Sequence, residues 1–289
     1  MRLLDAKLLQ EDTKAMSDFK LLRVPKGSEK GIINYVSELS GVPIEDLHPV
    51  GSTGKASSTG DLDLVIDENK YTPFKVHNSM TRNLGDEYGK YNKGTRIGSY
   101  AVPVGDGFRV QVDLMFTSNT EWAKFAYFSA GDNSQYKGAV RAVLLSAVAA
   151  ALDEKGVDTF HYEDGELLVR VGRGIDLGVG MKRLFQMRPH KKYGEGYVKG
   201  LKTVTPEEIK KMYPDLEFDG SDLIIDDPSE VVKILFGPST RPSNVDTAEE
   251  VLDLINRFPP GKQRKILDIA KIRAKQLAAK GIKLPAELT

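Results

Sequence analysis

The sequence predicts an α+β fold, with a small mixed or antiparallel sheet and flanking helices followed by a mostly helical C-terminal region. Two observations lead to this prediction. Segments of alternating polar and apolar residues, typical of strands with one buried face, recur before about residue 120. Segments with apolar residues three and four positions apart, typical of helices, dominate after about residue 205.

The composition is that of an ordinary globular protein. The chain has 289 residues, of which 40% are hydrophobic and 28% charged, and its formal net charge is +0. Zero net charge excludes a global attraction to nucleic acid or anionic lipid, so any such binding surface must be local. The absence of cysteine excludes disulfides and thiolate metal sites and fits a reducing compartment. We therefore expect a cytoplasmic monomer or weak oligomer that does not enter membranes.

Helices and strands alternate in the first half of the chain. Apolar residues at helical spacing follow Ser28, and Gly41 ends this first helix. A glycine-rich turn at residues 105–107 joins two alternating segments into a hairpin. The expected order is a helix over 29–40, strands over 48–50 and 61–66, a helix over 71–88, strands over 95–104 and 108–116, and an apolar helix over 135–152.

A domain boundary is expected after the apolar helix, which divides the chain into residues 1–155 and 156–289. The second part begins with a small hairpin over residues 159–171. Thr205 and Pro206 open a helix, as a cap and a proline at the first helical position. Three further helices are expected over 229–236, 247–258 and 260–280, the last of them basic.

The stretch PVGSTGKASSTGDLDLVID, residues 49–67, contains two candidate sites. Gly54 and Lys55 suggest a phosphate-binding loop of the Walker type. That motif requires a glycine where Pro49 stands and a serine or threonine where Ala56 stands. Because both requirements fail, we reject the Walker interpretation and regard Lys55 as a bystander or a helper.

Three aspartates on two predicted strands are the stronger candidates. Side chains alternate along a strand, so Asp61 and Asp63 share one face. Asp113 lies on the face of its own strand opposite the apolar residues. If the two strands are neighbours, three carboxylates converge and repel one another unless a cation compensates. Mg²⁺ prefers oxygen ligands, and two ions about 4 Å apart suit displacement at phosphorus.

A structural interpretation of these aspartates stays open, because alternation is also typical of a strand with a solvated polar face. Gly51 and Ser52, just before the aspartates, favour the functional interpretation. Glycine permits close backbone approach, and free amides together with a serine hydroxyl can hold a phosphate.

This combination resembles the DNA polymerase beta-like nucleotidyltransferase superfamily. The signature is Gly-Ser, a short spacer, Asp-hydrophobic-Asp-hydrophobic and a third aspartate on a later strand. Here its parts are Gly51-Ser52, Asp61-Leu62-Asp63-Leu64 and Val112-Asp113-Leu114. The sequence is most similar to the template-independent branch of poly(A) polymerases, terminal uridylyl polymerases and CCA-adding enzymes. The resemblance covers about residues 30–150 and makes residues 1–155 the catalytic domain.

The resemblance implies transfer of a nucleotidyl group from a nucleoside triphosphate, such as ATP, to a hydroxyl, with release of pyrophosphate. Asp61 and Asp63 would bind the metal that accompanies the triphosphate, and with Asp113 they would bind the catalytic metal, Mg²⁺ or Mn²⁺. Gly51 and Ser52 would hold the β- and γ-phosphates.

Two cations on the apolar helix are further candidates for nucleotide binding. Lys137 and Arg141 stand about one helical turn apart and could reach the phosphates. The alternative is that both form the solvated edge of an otherwise buried helix.

The expected acceptor is an RNA or tRNA 3′ end, because basic residues cluster twice in a neutral chain, at 182–193 and at 262–283. The same chemistry on a small molecule, a protein or a second nucleotide is an alternative. A non-enzymatic binding protein with this fold is another, although three intact aspartates disfavour it.

Overall fold

The computed structural model describes residues 19–152, 157–162, 165–188, 202–204, 211 and 224–289. This part of the chain contains both helices and strands, which confirms the α+β fold. The chain divides into two compact units. Unit 1 comprises the chain up to Ala142 together with Leu177–Val179 and Pro242–Glu250, and unit 2 comprises Val143–Asp176, Gly180–Arg241 and Val251–Thr289.

The strands are β1 (Val24–Pro25), β2 (His48–Pro49), β3 (Ser58–Thr59), β4 (Asp61–Asp67), β5 (Gly89–Asn92), β6 (Ile97–Gly105), β7 (Phe108–Thr117), β8 (Val157–Tyr162), β9 (Gly165–Asp176), β10 (Gly180–Arg188) and β11 (Lys202–Val204). The helices are α1 (Glu29–Ser40), α2 (Pro73–Leu84), α3 (Thr120–Ala126), α4 (Gly138–Ala151), α5 (Pro228–Phe236), α6 (Ala248–Ile255) and α7 (Pro260–Ala279).

A five-stranded sheet forms the centre of unit 1, in the order β2-β4-β7-β6-β5. β4 and β7 run parallel, and the other neighbouring pairs run antiparallel. A parallel pair needs a crossover connection, and the chain between β4 and β7 contains α2, β5 and β6. β1 and β3 form a separate two-stranded ladder. The crossover is what brings two strands far apart in sequence side by side.

One face of this sheet carries the main hydrophobic core of unit 1. Leu62, Leu64 and Ile66 of β4 point to this face and are buried. Apolar residues of α1 and α2, among them Val36 and Met80, complete the cluster. Full burial of each such side chain stabilises the fold by about 1.5–3 kcal/mol. The apolar half of the β4 alternation is therefore committed to packing.

The opposite face of the sheet is covered only in part by a small apolar cluster. Val65 of β4 packs there with Val50 and with Ala123 of α3. The Asn119 side chain caps α3 by accepting a hydrogen bond from the Trp122 amide at 3.0 Å. Asp61 and Asp63 belong to this face but lie before Val65 along the strand. Their end of the face is polar and partly exposed.

Unit 2 contains a four-stranded antiparallel sheet in the order β11-β10-β9-β8. Its helices include α5, whose first turn is capped by the Asp227 carboxylate. The long helix α7 buries three small or branched residues, Ile266, Ala270 and Ala274.

Several elements differ from the sequence expectation. α2 ends at Leu84 and not at residue 88, and α4 begins at Gly138 and not at residue 135. Lys137 therefore precedes α4. The sequence reasoning missed α3 and β5, which are too short to show a clear period. The hairpin expected over 159–171 exists as β8 and β9, but β9 continues to Asp176 and pairs with β10, a strand that the sequence did not predict.

Some expectations concern residues outside the described ranges. They are the domain boundary at residue 155, the helix opened by Thr205 and the basic side chains of residues 182–193. Within the described ranges, no helix combines the length and the apolar character that a membrane crossing requires.

Candidate active site

The three aspartates converge on the polar end of the sheet. Asp63 of β4 is the register partner of Asp113 on the parallel strand β7, and Asp61 lies two residues earlier on the same face. One carboxylate oxygen from each residue can be chosen so that all three lie within 4.8 Å of one another. The three side chains are partly exposed, so a ligand can reach them. This set could hold a metal ion.

Burial raises the pKa of all three carboxyl groups. Loss of water is the largest cause for each of them. The charges of Asp61 and Asp113 raise the pKa of Asp63 further, well above its ordinary value. The pKa of Asp113 is raised to about 6. Such a cluster favours a bound cation or a bound proton, because either one relieves the repulsion.

Two polar residues orient the Asp113 carboxylate. The Gln111 side-chain amide donates to both oxygens, at 3.0 and 3.1 Å, from two residues earlier on β7. Ser99, on the antiparallel neighbour β6, is the register partner of Asp113. Its hydroxyl also donates a hydrogen bond to the Asp113 carboxylate. Both contacts lower the pKa of Asp113 and so oppose the effect of burial.

Gly51 lies against the aspartates, where no side chain fits. Its φ is 61°, in the left-handed region that favours glycine. A Cβ atom at this position would lie 2.4 Å from Oδ2 of Asp63. The Gly51 amide donates to the Tyr127 carbonyl at 3.0 Å. Gly51 therefore contributes space beside Asp63, and its amide is already engaged.

Ser52 is tied to the same strand through Thr59. The Ser52 and Thr59 hydroxyl oxygens are 2.8 Å apart, and the Thr59 hydroxyl donates to the Asp61 carbonyl at 2.8 Å. Because Thr59 has one hydroxyl proton, Ser52 is the donor in their contact. Among the described residues, none accepts a hydrogen bond from the amides of Ser52 or Gly54. These amides are the backbone donors that this loop can offer to an anion.

Two cations lie near Asp61. The charges of Lys137 and Arg23 both lower the pKa of Asp61 against the effect of its burial. The Arg23 guanidinium donates to the side-chain and backbone oxygens of Ser58, at 3.0 and 2.9 Å. Lys137 is exposed, just before α4. Positive charge is thus concentrated beside the first aspartate.

Lys55 turns from the aspartates toward an aromatic ring. Its Nζ atom lies 3.9 Å from the centroid of the Phe128 ring and 3.4 Å from the Gly51 carbonyl oxygen. Burial lowers the pKa of Lys55, and the charge of Asp246 opposes this effect. Lys55 thus belongs to the loop over residues 51–57, between β2 and β3, which we call the glycine–serine loop.

Arg141 is a buried residue of unit 1. It is 1% exposed. Its Nε atom donates to the Val245 carbonyl, and its Nη1 atom donates to the Phe125 carbonyl at 2.9 Å. Both expectations for Arg141, a solvated position and a contact with the phosphates, are therefore wrong. Of the two cations expected to act together, only Lys137 is brought near the aspartates.

Sequence reasoning missed Arg23, Gln111 and Ser99. Gln111 carried a usable signal, because a polar side chain two residues from Asp113 must share its face. Ser99 also carried a signal, since the predicted hairpin turn at residues 105–107 places it opposite Asp113. Arg23 carried none, since its proximity depends on the β1–β3 ladder.

The residues present fit a divalent metal ion. Three clustered carboxylates supply the hard oxygen ligands that Mg²⁺ and Mn²⁺ accept. Burial is the largest cause of their raised pKa values, and the charges of neighbouring carboxylates raise the pKa of Asp63 and Asp113 further. A bound cation would offset both effects. Compared with known proteins, the chain matches no protein-family model and no curated protein.

Proposed function

We propose that the protein is a metal-dependent nucleotidyltransferase of the DNA polymerase beta-like type, which moves a nucleoside monophosphate from a nucleoside triphosphate to a hydroxyl acceptor. One observation carries the proposal. Asp61, Asp63 and Asp113 converge within 4.8 Å on a sheet face bordered by Gly51 and Ser52. The sequence motif has this order, and the parallel β4–β7 pair supplies the proximity.

The three carboxylates would hold two divalent ions, Mg²⁺ or Mn²⁺. Such ions would supply charge neutralisation of the triphosphate and would lower the pKa of the acceptor hydroxyl. Asp61 and Asp63 would be ligands of both ions, and Asp113 would complete the ligand set of the catalytic ion. Gln111 and Ser99 keep the Asp113 carboxylate in one orientation, so it needs no reorganisation when substrate binds.

The triphosphate binds on the Asp61 side of the cluster. A nucleoside triphosphate carries about four negative charges near neutral pH, so its binding requires cations and amide donors. Arg23 and Lys137 supply charge beside Asp61, and Ser52 offers a backbone amide. The absence of a side chain at Gly51 leaves room for the Asp63 carboxylate beside this loop.

The reaction requires only the nucleoside triphosphate and the acceptor hydroxyl as reactants. The acceptor hydroxyl oxygen forms a bond to the α-phosphorus, and the bond from that phosphorus to the oxygen bridging the α- and β-phosphates breaks. The leaving oxygen takes the electron pair and departs as pyrophosphate, and the hydroxyl proton passes to water.

An RNA 3′ end is the acceptor that the charge distribution favours. α7 carries six lysine and arginine residues against one aspartate in a chain of zero net charge. Three of these cations, Arg264, Lys271 and Lys275, are exposed and share one face by helical spacing. Asp268 is exposed on the same face, so three cations surround one aspartate and the face keeps a net positive charge, which suits a phosphate backbone.

The test is incubation with each α-³²P-labelled nucleoside triphosphate, Mg²⁺ or Mn²⁺, and total RNA, beside the double variant Asp61→Ala/Asp63→Ala. We expect label on RNA with the wild type alone, and the labelled nucleotide that reacts defines the specificity. Pyrophosphate release without labelled RNA would reassign the acceptor to a small molecule, a protein or a second nucleotide. Equal activity in wild type and variant would refute the proposed site.

A further inference from the structure

Residues 129–137 form a loop that contacts the glycine–serine loop at one end. The Asp132 carboxylate accepts a hydrogen bond from the Ser57 amide at 2.7 Å. A Cβ atom on Gly131 would lie 2.6 Å from the Lys55 carbonyl carbon, so the two backbones are in direct contact. Movement of the 129–137 loop therefore moves the loop that begins at Gly51.

The other end of the 129–137 loop carries a cation of the proposed nucleotide site. Lys137 is its last residue, and it is exposed immediately before α4. The loop thus connects the two elements that the proposed triphosphate site requires, the glycine–serine loop and Lys137.

A segment from much later in the chain holds the middle of this loop. One Glu249 carboxylate oxygen accepts from the Ser134 hydroxyl at 2.8 Å, and the other accepts from the Gln135 amide at 3.1 Å. These contacts join residues more than one hundred positions apart within unit 1. Hydrogen bonds to a charged acceptor are the stronger kind.

The segment that carries Glu249 is itself anchored. The buried Arg141 side chain bonds the Val245 carbonyl, four residues before Glu249. Thr247 and Glu250 form a reciprocal cap at the start of α6, with contacts of 2.9 and 3.1 Å. Glu249 therefore projects from a fixed helix start.

We propose that Glu249 is a positioning residue of the nucleotide site, which places Lys137 and the glycine–serine loop by holding Ser134 and Gln135. The proposal rests on the proposed function, and it adds that the catalytic site depends on residues 242–250. Glu249 does not contact the nucleotide. Its effect passes through Lys137 and the glycine–serine loop, so it acts on nucleotide binding.

The variant Glu249→Ala tests the proposal, and Asp253→Ala is its matched control. Both remove an acidic residue from α6, but Asp253 is exposed one turn later and takes no part in the cap formed by Thr247 and Glu250. The first measurement is hydrogen exchange of peptides covering residues 129–137, without nucleotide. Faster exchange there in Glu249→Ala than in Asp253→Ala is expected, and equal exchange would overturn the proposal.

The second measurement is equilibrium binding of ATP by calorimetry, with Mg²⁺ and without acceptor. Glu249→Ala should raise the ATP Kd by about tenfold, within the usual coupling range for residues of one hydrogen-bond network. In a Lys137→Ala background the same change should have a smaller effect, because only the contact with the glycine–serine loop remains to be disturbed. Equal fold-changes in both backgrounds would show that Glu249 does not act through Lys137, and the proposal would fall.

The two measurements separate the possible failures. If the wild type binds neither ATP nor another nucleoside triphosphate, the proposed function fails. The exchange comparison still decides whether Glu249 holds the loop. If nucleotide binds and exchange differs as expected but the Kd is unchanged, the positioning role is wrong and the proposed function stands.

Discussion

At the scale of single residues, Gly51 and Asp63 are mutually dependent. The carboxylate occupies the space that any side chain at position 51 would need. Among the three aspartates, Asp63 is the one whose pKa is raised by burial and by the charges of both other carboxylates. The buried carboxylate that the site requires therefore lowers the stability of the metal-free fold, as is common where function and stability compete.

The variant Gly51→Ala should weaken Mn²⁺ binding by about ten- to a hundredfold, the range for groups that orient metal ligands. The added Cβ would displace Asp63, because only 2.4 Å separates it from Oδ2. The Mn²⁺ affinity is measured by titrating the protein with Mn²⁺ and recording the free ion by electron paramagnetic resonance. Gly54→Ala is the control, since its φ of 69° is similarly unfavourable but its Cβ would lie 4.0 Å from the nearest atom. Equal losses in both variants would mean that backbone strain alone is responsible.

Metal-free protein should lose stability from the site as pH rises. The raised pKa values of Asp63 and Asp113 mean that the folded state holds more protons than the unfolded state above the ordinary value of 3.8. This stability is present at low pH and is lost as pH rises through the folded pKa, which is about 6 for Asp113.

Asp63→Asn should therefore have a higher Tm than the wild type in EDTA, by a margin that grows as the pH rises from about 4 to above about 6. Mn²⁺ at the upper pH should raise the Tm of the wild type and have little effect on the variant. Thermal unfolding across the pH series provides the measurement. A margin that stays constant with pH would exclude titration of the cluster as its cause.

At the scale of elements, β7 carries both a candidate metal ligand and the residue that orients it. Gln111 is 3% exposed and pairs in register with Asp61, while Asp113 pairs with Asp63. Asp61 and Asp63 of β4 therefore lie opposite Gln111 and Asp113 of β7 on the same side of the sheet. This arrangement depends on the parallel register, since a slip of one residue would move every side chain to the other face.

Gln111→Leu should lower kcat by about ten- to a hundredfold and change the KM for the nucleotide little. Without the amide donors, the pKa of Asp113 rises further, so the acidic limb of the pH–rate profile should move to higher pH. Steady-state kinetics over a pH series provides the measurement. A lower kcat with an unmoved pH profile would indicate a purely structural role for Gln111.

At the scale of the whole molecule, positive charge is local in a chain with no net charge. The proposed catalytic cluster belongs to unit 1, and the basic helix α7 belongs to unit 2. If α7 binds the acceptor, RNA binding and nucleotide binding are separable properties. Changes in one unit should then leave the other property intact.

The triple variant Arg264→Gln/Lys271→Gln/Lys275→Gln should weaken RNA binding and leave the ATP Kd unchanged. The slope of log K against log salt should decrease by about 2, since each lost contact with a single-stranded phosphate accounts for about 0.7. Fluorescence anisotropy with a labelled oligoribonucleotide measures both quantities. The control removes three exposed lysines of unit 1, Lys75, Lys90 and Lys93. If both triple variants have the same effect, α7 is not a specific RNA surface.

Much of the fold was predictable because its signals are local. The helix over residues 29–40, the β6–β7 hairpin and the strand with two aspartates follow from periodicity and turn residues within short windows. The start of α4 was not predictable to the residue, and neither was the burial of Arg141. A cation in an apolar helix suggests an exposed edge. The carbonyls of Phe125 and Val245 and the charges of Asp246 and Glu250, all distant in sequence or on other elements, compensate the burial of this guanidinium.

The sequence by itself determined the side-chain types of the candidate site and the face that each occupies, because alternation along a strand is a property of the local backbone. The tertiary structure alone decided that β4 and β7 are parallel neighbours with Asp63 opposite Asp113. It also decided that Arg23 lies near Asp61 and that Glu249 holds the 129–137 loop. These relations join distant parts of the chain, and the burial of the whole core, not any local pattern, selects them.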